Sequence, residues 1–154
     1  MSRTTKLILL GSLIGVSLPI LYLALLSFIS RRPGNLGATQ GRLAECPSSP
    51  NCVSSQAGDA AHQMDPIAFS GSPDEALKKL RSVVEGLPRA AIVTADPHYM
   101  HVEFTTAIFR FVDDAEFLLD ADAHVIHFRS ASRVGHSDLG LNRRRIEDIR
   151  QRLR

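Results

Sequence analysis

No tryptophan occurs in this 154-residue chain, and aromatic residues make up only 6% of it. Binders of single-stranded nucleic acid stack bases on aromatic platforms interleaved with Lys and Arg. No such platform is written here, so nucleic acid is not an expected partner. Only two cysteines are present, Cys46 and Cys52, and they lack Cys-x-x-Cys spacing. That spacing argues against a thioredoxin-type pair, and two thiols without neighbouring histidines make a poor zinc site. Gly-x-Ser-x-Gly is missing too, which removes the strand-turn-helix elbow of a serine hydrolase. No cofactor is implied.

The most telling absence is of charge. Leu7 to Ile29 is a run of 23 residues without an acidic or basic side chain. About 20 apolar residues span the hydrocarbon core of a bilayer as a helix, because unpaired backbone amides are intolerable there. Arg3 and Lys6 precede the run, Arg31 and Arg32 close it, and Pro33-Gly34 stop the helix. Pro19, mid-span, is tolerated in a membrane helix as a kink. A cleaved signal peptide would have an apolar region of about 7–15 residues and a small-residue cleavage site. The run is longer than that, and Ser27-Phe28-Ile29-Ser30 is a poor site. A lipoprotein reading fails because Cys46 follows Glu45 and lies far beyond the apolar region. The expectation is an uncleaved single-pass anchor over 1–32, with the lipid bilayer as the partner of Leu7–Ile29.

The flanking cations nearly balance, so the positive-inside rule does not orient the anchor. The cysteines do so instead. Cys46 and Cys52 sit close together in a Pro- and Ser-rich stretch, which reads as a small disulfide loop. Such a bond persists in an oxidising compartment, so the domain is expected outside the cytoplasm, in the periplasm.

The first 32 residues carry four basic groups and no acids, so the overall charge of +2 hides the character of the rest. From Pro33 to Phe128 there are 6 basic and 13 acidic residues; from Arg129 onward there are 8 basic and 3 acidic. A basic end on an acidic body points either to an anion-facing surface or to intramolecular pairing. The layout is an anchor (1–32), a Gly-containing tether (33–42) and one domain (43–154), long enough for one core and not two.

A coil-like loop is expected through Ala61. Ser72-Pro73-Asp74-Glu75 then opens a helix with a capping residue, a first-turn proline and a capping-box glutamate. Leu77, Leu80, Val84 and Leu87 follow at helical spacing, and Gly86 and Pro88 end it. The period then changes to two. Strands are expected at Ala91–Thr94, Tyr99–Thr106, Ile108–Val112, Ala115–Asp120 and His124–Ser130, with turns at Asp96-Pro97-His98 and Ala121-Asp122-Ala123. Short gaps imply antiparallel neighbours. A last amphipathic helix runs from Arg143 to Leu153. The fold class is α+β: an antiparallel sheet of four or five strands with two helices on one face.

The stretch from Arg129 to Arg143 is the most unusual. It leaves a strand, passes two glycines and enters the last helix at Asn142, the expected cap. Arg143, Arg144 and Arg145 fill the first turn, where free amides already act as about half a positive charge. Something must offset them. One answer is a bound anion held by Arg129, Arg133, Asn142 and Arg143, with Ser130, Ser132 and Asp138 shaping the loop. The other is pairing with Asp138, Glu147 and Asp148, since compensation worth about 1 kcal/mol suffices. Asp113-Asp114, followed by Glu116, lacks the ligand number of an oxygen-rich metal site and reads as a turn or bulge between strands. His136 beside Asp138, with Ser132 and Ser137 near, makes no defined nucleophilic site. No metal site is expected among the scattered histidines.

Three strings carry a resemblance: Pro50-Asn51-Cys52-Val53-Ser54-Ser55, Phe109-Arg110-Phe111-Val112-Asp113-Asp114, and Arg129 through Arg143. Together, in that order, they resemble the uncharacterised domain-of-unknown-function 1499 family over Leu43–Leu153. The resemblance implies an envelope or plastid protein, sometimes with a membrane segment, and supplies no reaction, substrate or cofactor. His136 stands where many relatives have an aromatic residue, which speaks against it as a base. The expected function is binding of an anionic small molecule or protein partner. A hydrolase using Asp113, Asp114 or Asp138, and an envelope assembly factor, are the alternatives.

Overall fold

The computed structural model describes residues 2–154, apart from the side chains of 6–14. The first element, α1 (Arg3–Ile29), is a 27-residue helix that contains the whole uncharged run and Pro19. Ser2 caps it, its hydroxyl accepting from the Thr5 amide at 3.1 Å. Among the described residues no helix is long and apolar enough to cross a membrane. The first part of the expected span, 7–14, lies outside the described side chains.

The rest of the chain is α+β. Its strands are β1 (Cys52–Ser54), β2 (Ile67–Ala68), β3 (Ala90–Ala95), β4 (Tyr99–Thr105), β5 (Val112–Asp120) and β6 (Val125–Ser132). They form one antiparallel sheet in the order β1-β6-β5-β4-β3, with β2 also pairing β6. The helices α2 (Pro73–Glu85) and α3 (Leu141–Leu153) pack against each other and against one sheet face.

Local chemistry explains most of these elements. The Ser72 hydroxyl accepts from the Glu75 amide, and the Glu75 carboxylate accepts from the Ser72 amide at 3.0 Å, so α2 starts with a closed capping box. At the β3–β4 turn the Asp96 carboxylate accepts from the amides of His98 and Tyr99 at 3.0 and 2.8 Å. Alternation then sorts the strands. Met100, Val102 and Phe104 from β4, Ala115, Phe117 and Leu119 from β5, and Ile126 and Phe128 from β6 meet Leu80, Val84, Ile146 and Ile149 from the helices. Each fully buried side chain of this kind contributes about 1.5–3 kcal/mol.

Four expectations need correction. Strands at Ile108–Val112 and Ala115–Asp120 are replaced by the single β5. Residues 106–111 instead form a tight loop, in which the Thr106 amide donates to Phe111 O and the Phe111 amide donates to Thr106 Oγ1. Asp113 and Asp114 are therefore inside β5 and not at a turn. The loop expected through Ala61 contains β1, which pairs Cys52 with Ala131, Val53 with Ser130 and Ser54 with Arg129. Finally, α3 begins at Leu141, behind Gly140 in the left-handed region at φ +76°, and Asn142 is buried inside the helix instead of capping it. Asp138 takes the capping role, accepting from the Gly140 and Asn142 amides at 3.0 and 2.7 Å. Its carboxylate has the right sign for a helix N-terminus.

Cys46 and Cys52 form the expected disulfide, six residues apart, and fasten the loop before β1 to the sheet edge. Closing so short a loop contributes about 2 kcal/mol. Replacing both cysteines with alanine should lower the unfolding free energy by about that amount, read as a lower denaturant midpoint at unchanged slope.

Candidate functional site

Because Met100, Val102 and Phe104 point toward the helices, Tyr99, His101 and Glu103 must point away from them. The same parity sends Asp114 and Glu116 of β5, and Arg129 and Ala131 of β6, to that second face. Register sets Glu103 directly opposite Asp114, and Glu116 opposite Arg129. Facing carboxylates across a ladder repel. Yet His101, Asp114, Glu116 and Arg129 are all buried. Burying charges costs several kcal/mol each unless they are paired and hydrogen-bonded.

Arg133, just past the end of β6, resolves the conflict. Its Nε donates to Asp114 Oδ2 at 2.8 Å and its Nη2 to Asp114 Oδ1 at 2.7 Å, a bidentate fork. The same Nη2 also donates to Glu103 Oε1. His101 Nε2 adds a bond to Asp114 Oδ1 at 2.8 Å. From the other side Arg32, three residues past α1, donates to Glu103 Oε1 through Nε and Nη2 at 2.9 and 2.6 Å. Burial pushes the Asp114 carboxyl up, but the bonds from Arg133 and His101 outweigh it and hold the group below its usual value. Glu103 behaves likewise: burial raises it, and the bonds from Arg133 and Arg32 bring it below the ordinary range.

Glu116 is completely buried and is met by three donors. The Gly37 amide and the Tyr99 hydroxyl both donate to Oε1 at 2.7 Å, and Arg129 Nη1 donates to Oε2 at 3.4 Å. Burial, then the bond to Glu116, raises the Tyr99 hydroxyl well above its ordinary value, so it stays a donor at neutral pH. Gly37 brings the segment after α1 onto this face. Pro33 and Asn35 from that segment, with Cys46 and Pro47 beside the disulfide, wall a recess of about 390 Å³ whose floor includes Arg129 and Arg133.

Arg129 is the exception in this accounting. It is 5% exposed, its one long bond goes to Glu116, and its Nε has no hydrogen-bond partner. Buried donors are almost always satisfied, because an orphan costs about 1–3 kcal/mol, and more when charged. Arg129 lines the recess, and its unpartnered Nε is buried behind that wall.

The structure divides the residues grouped by the sequence. Arg129 and Arg133 lie on the polar face. Asn142 is on the helix face and fully bonded: its Oδ1 accepts from Ser130 Oγ and Arg145 Nη1, and its Nδ2 donates to Asn51 O and Ser132 Oγ. Arg143 donates to the carbonyls of Ala61 and Gln63 and fastens the loop before β2. The first-turn cations are offset within the chain. Arg145 pairs with Asp113 at 2.6 Å and stacks 4.5 Å above the Phe104 ring, while Arg144 donates to Leu139 O. Glu147 and Asp148, expected to serve them, pair with Arg150 and Arg152 instead. Asp113, Asp114 and Asp138 face three different environments, so no shared carboxylate site forms from them.

His101, Glu103 and Asp114 offer ligand atoms within 4.8 Å of one another. Arg133 already occupies the oxygens that a divalent ion would need. A second histidine arrangement also emerges: Ser55 Oγ lies 3.1 Å from His127 Nδ1, and His127 Nε2 lies 3.9 Å from Asp120 Oδ2. The second distance is too long to orient the ring, and the Phe128 amide already donates to Ser55 Oγ at 3.0 Å. Tyr99, His101 and Glu103 were not singled out by motif, whereas Glu116 was weighed only as a companion of Asp113-Asp114. The period-two spacing of Tyr99, His101 and Glu103 was the signal that could have found them.

Arg133→Ala should lower stability by about 3–5 kcal/mol, because it breaks a buried ion pair and leaves Asp114 with His101 as its remaining side-chain partner. The depressed carboxyls make the contribution pH-dependent. It is fully present above about pH 4, the unfolded range, and is lost as pH falls through the lower folded values. Acid titration of stability should therefore be steeper below about pH 4 in the wild type than in Arg133→Ala.

No curated protein and no solved structure matches the chain. Residues 42–153 match a family model that covers the whole sheet, α2, α3, the entire Cys46–Cys52 loop and all of the recess lining except Pro33 and Asn35. The chain belongs to the family described as Protein of unknown function (DUF1499).

Proposed function

We propose that this is a single-pass membrane-anchored envelope protein whose domain binds a singly charged anionic group at Arg129, beside Arg133. The unpartnered Arg129 Nε, buried at the floor of a recess, is the observation that carries the reading. Arg129 and Arg133 line the recess with Asp114 and Glu45, and the two arginines already pair with Glu116, Asp114 and Glu103. That balance leaves little excess field for a doubly charged phosphate. It suits a carboxylate or a phosphodiester, each bringing one charge and two oxygens to the free guanidinium edge.

The anchor rests on the sequence. A helix of 23 uncharged residues is about 35 Å long, enough for a hydrocarbon core of about 30 Å. The disulfide supports an oxidising, extracytoplasmic side for the domain.

Thermal unfolding of the full chain in detergent, titrated with acetate and with diethyl phosphate, tests the binding. At tenfold excess over Kd, binding stabilises by about 1.4 kcal/mol, a rise of several degrees. Arg129→Lys keeps the charge beside Glu116 but loses the fork, and should need at least about tenfold more ligand, the 1.4 kcal/mol worth of one strong bond. A wild-type midpoint unmoved by both anions, or an Arg129→Lys response equal to wild type, would overturn the reading.

A further inference from the structure

The topology gathers several features at one end of the sheet. The β4–β5 loop leaves β4 at Thr105, and the β6–α3 loop leaves β6 at Ser132. Since β5 is antiparallel to both, these loops lie at the same end, where Asp113 faces both Phe104 and Ser132. Among the described residues, the large hydrophobic side chains exposed outside α1 are Ile108 at 82%, Leu139 at 84% and Leu141 at 36%. Ile108 belongs to the first loop and Leu139 to the second. Leu141 shares a surface recess with Ala107, which joins the two loops into one surface.

The same end receives the chain from α1. Arg32 follows Ile29 by three residues, at most about 11 Å of chain, and its side chain is fixed to Glu103, near the end of β4. Exposed cations surround the place: Arg31, Arg32, Arg110 and Arg144. Leu139 is held in the left-handed region at φ +54°, with its carbonyl bonded to Arg144. Two exposed aliphatic side chains on loops at one end of the sheet, with Arg110 and Arg144 in or beside those loops and Arg32 tying the chain after α1 to the end of β4, have the chemistry of an interfacial contact: apolar tips in the acyl boundary and cations at the headgroups.

We propose that this end of the domain lies on the bilayer surface, with Ile108 and Leu139 inserted at the level of the headgroups. This inference rests on the anchor reading above. It makes the lipid surface a second partner of the domain itself, beyond the span of α1.

The absence of tryptophan makes the test direct. Single variants of the full chain, Tyr22→Trp in α1, Ile108→Trp, Leu139→Trp and Asp122→Trp at the opposite end of the sheet, are placed in nanodiscs of equal parts phosphatidylcholine and phosphatidylglycerol. Lipids brominated on the upper acyl chain serve as quencher. All four positions are exposed or lie in α1, so folding is preserved. The expected result is loss of emission for Tyr22→Trp, Ile108→Trp and Leu139→Trp, and unchanged emission for Asp122→Trp. Quenching of Tyr22→Trp alone would overturn this inference and leave the anchor standing. No quenching of Tyr22→Trp would remove both.

Discussion

The fork from Arg133 to Asp114 is the constraint on which the polar half of the molecule depends. Strand register forces Glu103 and Asp114 to face each other, and two carboxylates at that separation do not remain ionised and buried without a cation between them. Arg133 supplies the cation, His101 fills the remaining acceptor capacity of Asp114, and Arg32 completes Glu103. A hydrophobic layer of equal volume would be as stable or more so, since desolvation consumes most of the Coulombic gain. What the layer does show is connection: its pairs join β4, β5 and the chain after β6, and tie the segment that follows α1 to Glu103 and Glu116.

That connection makes the segment between α1 and the domain part of the fold. A sheet with helices on one face must cover its other face or leave it to water. Here the cover is the chain from Arg32 to Pro47, fixed by Arg32 to Glu103, by the Gly37 amide to Glu116 and by the disulfide to β1. The segment after α1 thus contributes residues to both the charged layer and the recess.

Legibility in the sequence followed the range of the interactions. α2 was written locally, in Ser72, Pro73 and Glu75, and the β3–β4 turn in Asp96. The core face of β4 was visible in the alternation of Met100, Val102 and Phe104. β1 was not, because three residues carry no period, and Cys52–Ser54 becomes a strand only by pairing with β6 some 75 residues later. The merging of two expected strands into β5 turns on Thr106, whose hydroxyl closes a loop that the apolar run Ile108–Val112 disguised. The cap of α3 was placed at Asn142, a good capping residue by type. Asp138, four residues earlier, instead accepts from the amide of Asn142 itself, through a loop that passes Gly140 in a left-handed turn.

The charge asymmetry of the sequence, basic after Arg129 and acidic before it, is resolved mainly by pairing across the sheet. Arg129 meets Glu116, Arg133 meets Asp114 and Glu103, and Arg145 meets Asp113, over separations of 13 to 32 residues. The cations at the start of α3, which first pointed to a ligand, are consumed by Asp113, by Phe104 and by backbone carbonyls. Accounting donor by donor thus removes Asn142 and Arg143 from the anion hypothesis and concentrates it on one group. Arg133 spends its fork on Asp114. Arg129, equally buried, has one bond of 3.4 Å and an idle Nε. Among the described residues of this face, the chain answers the Arg133 fork in full and leaves the buried Arg129 Nε without an acceptor, so a test of anion binding belongs at Arg129.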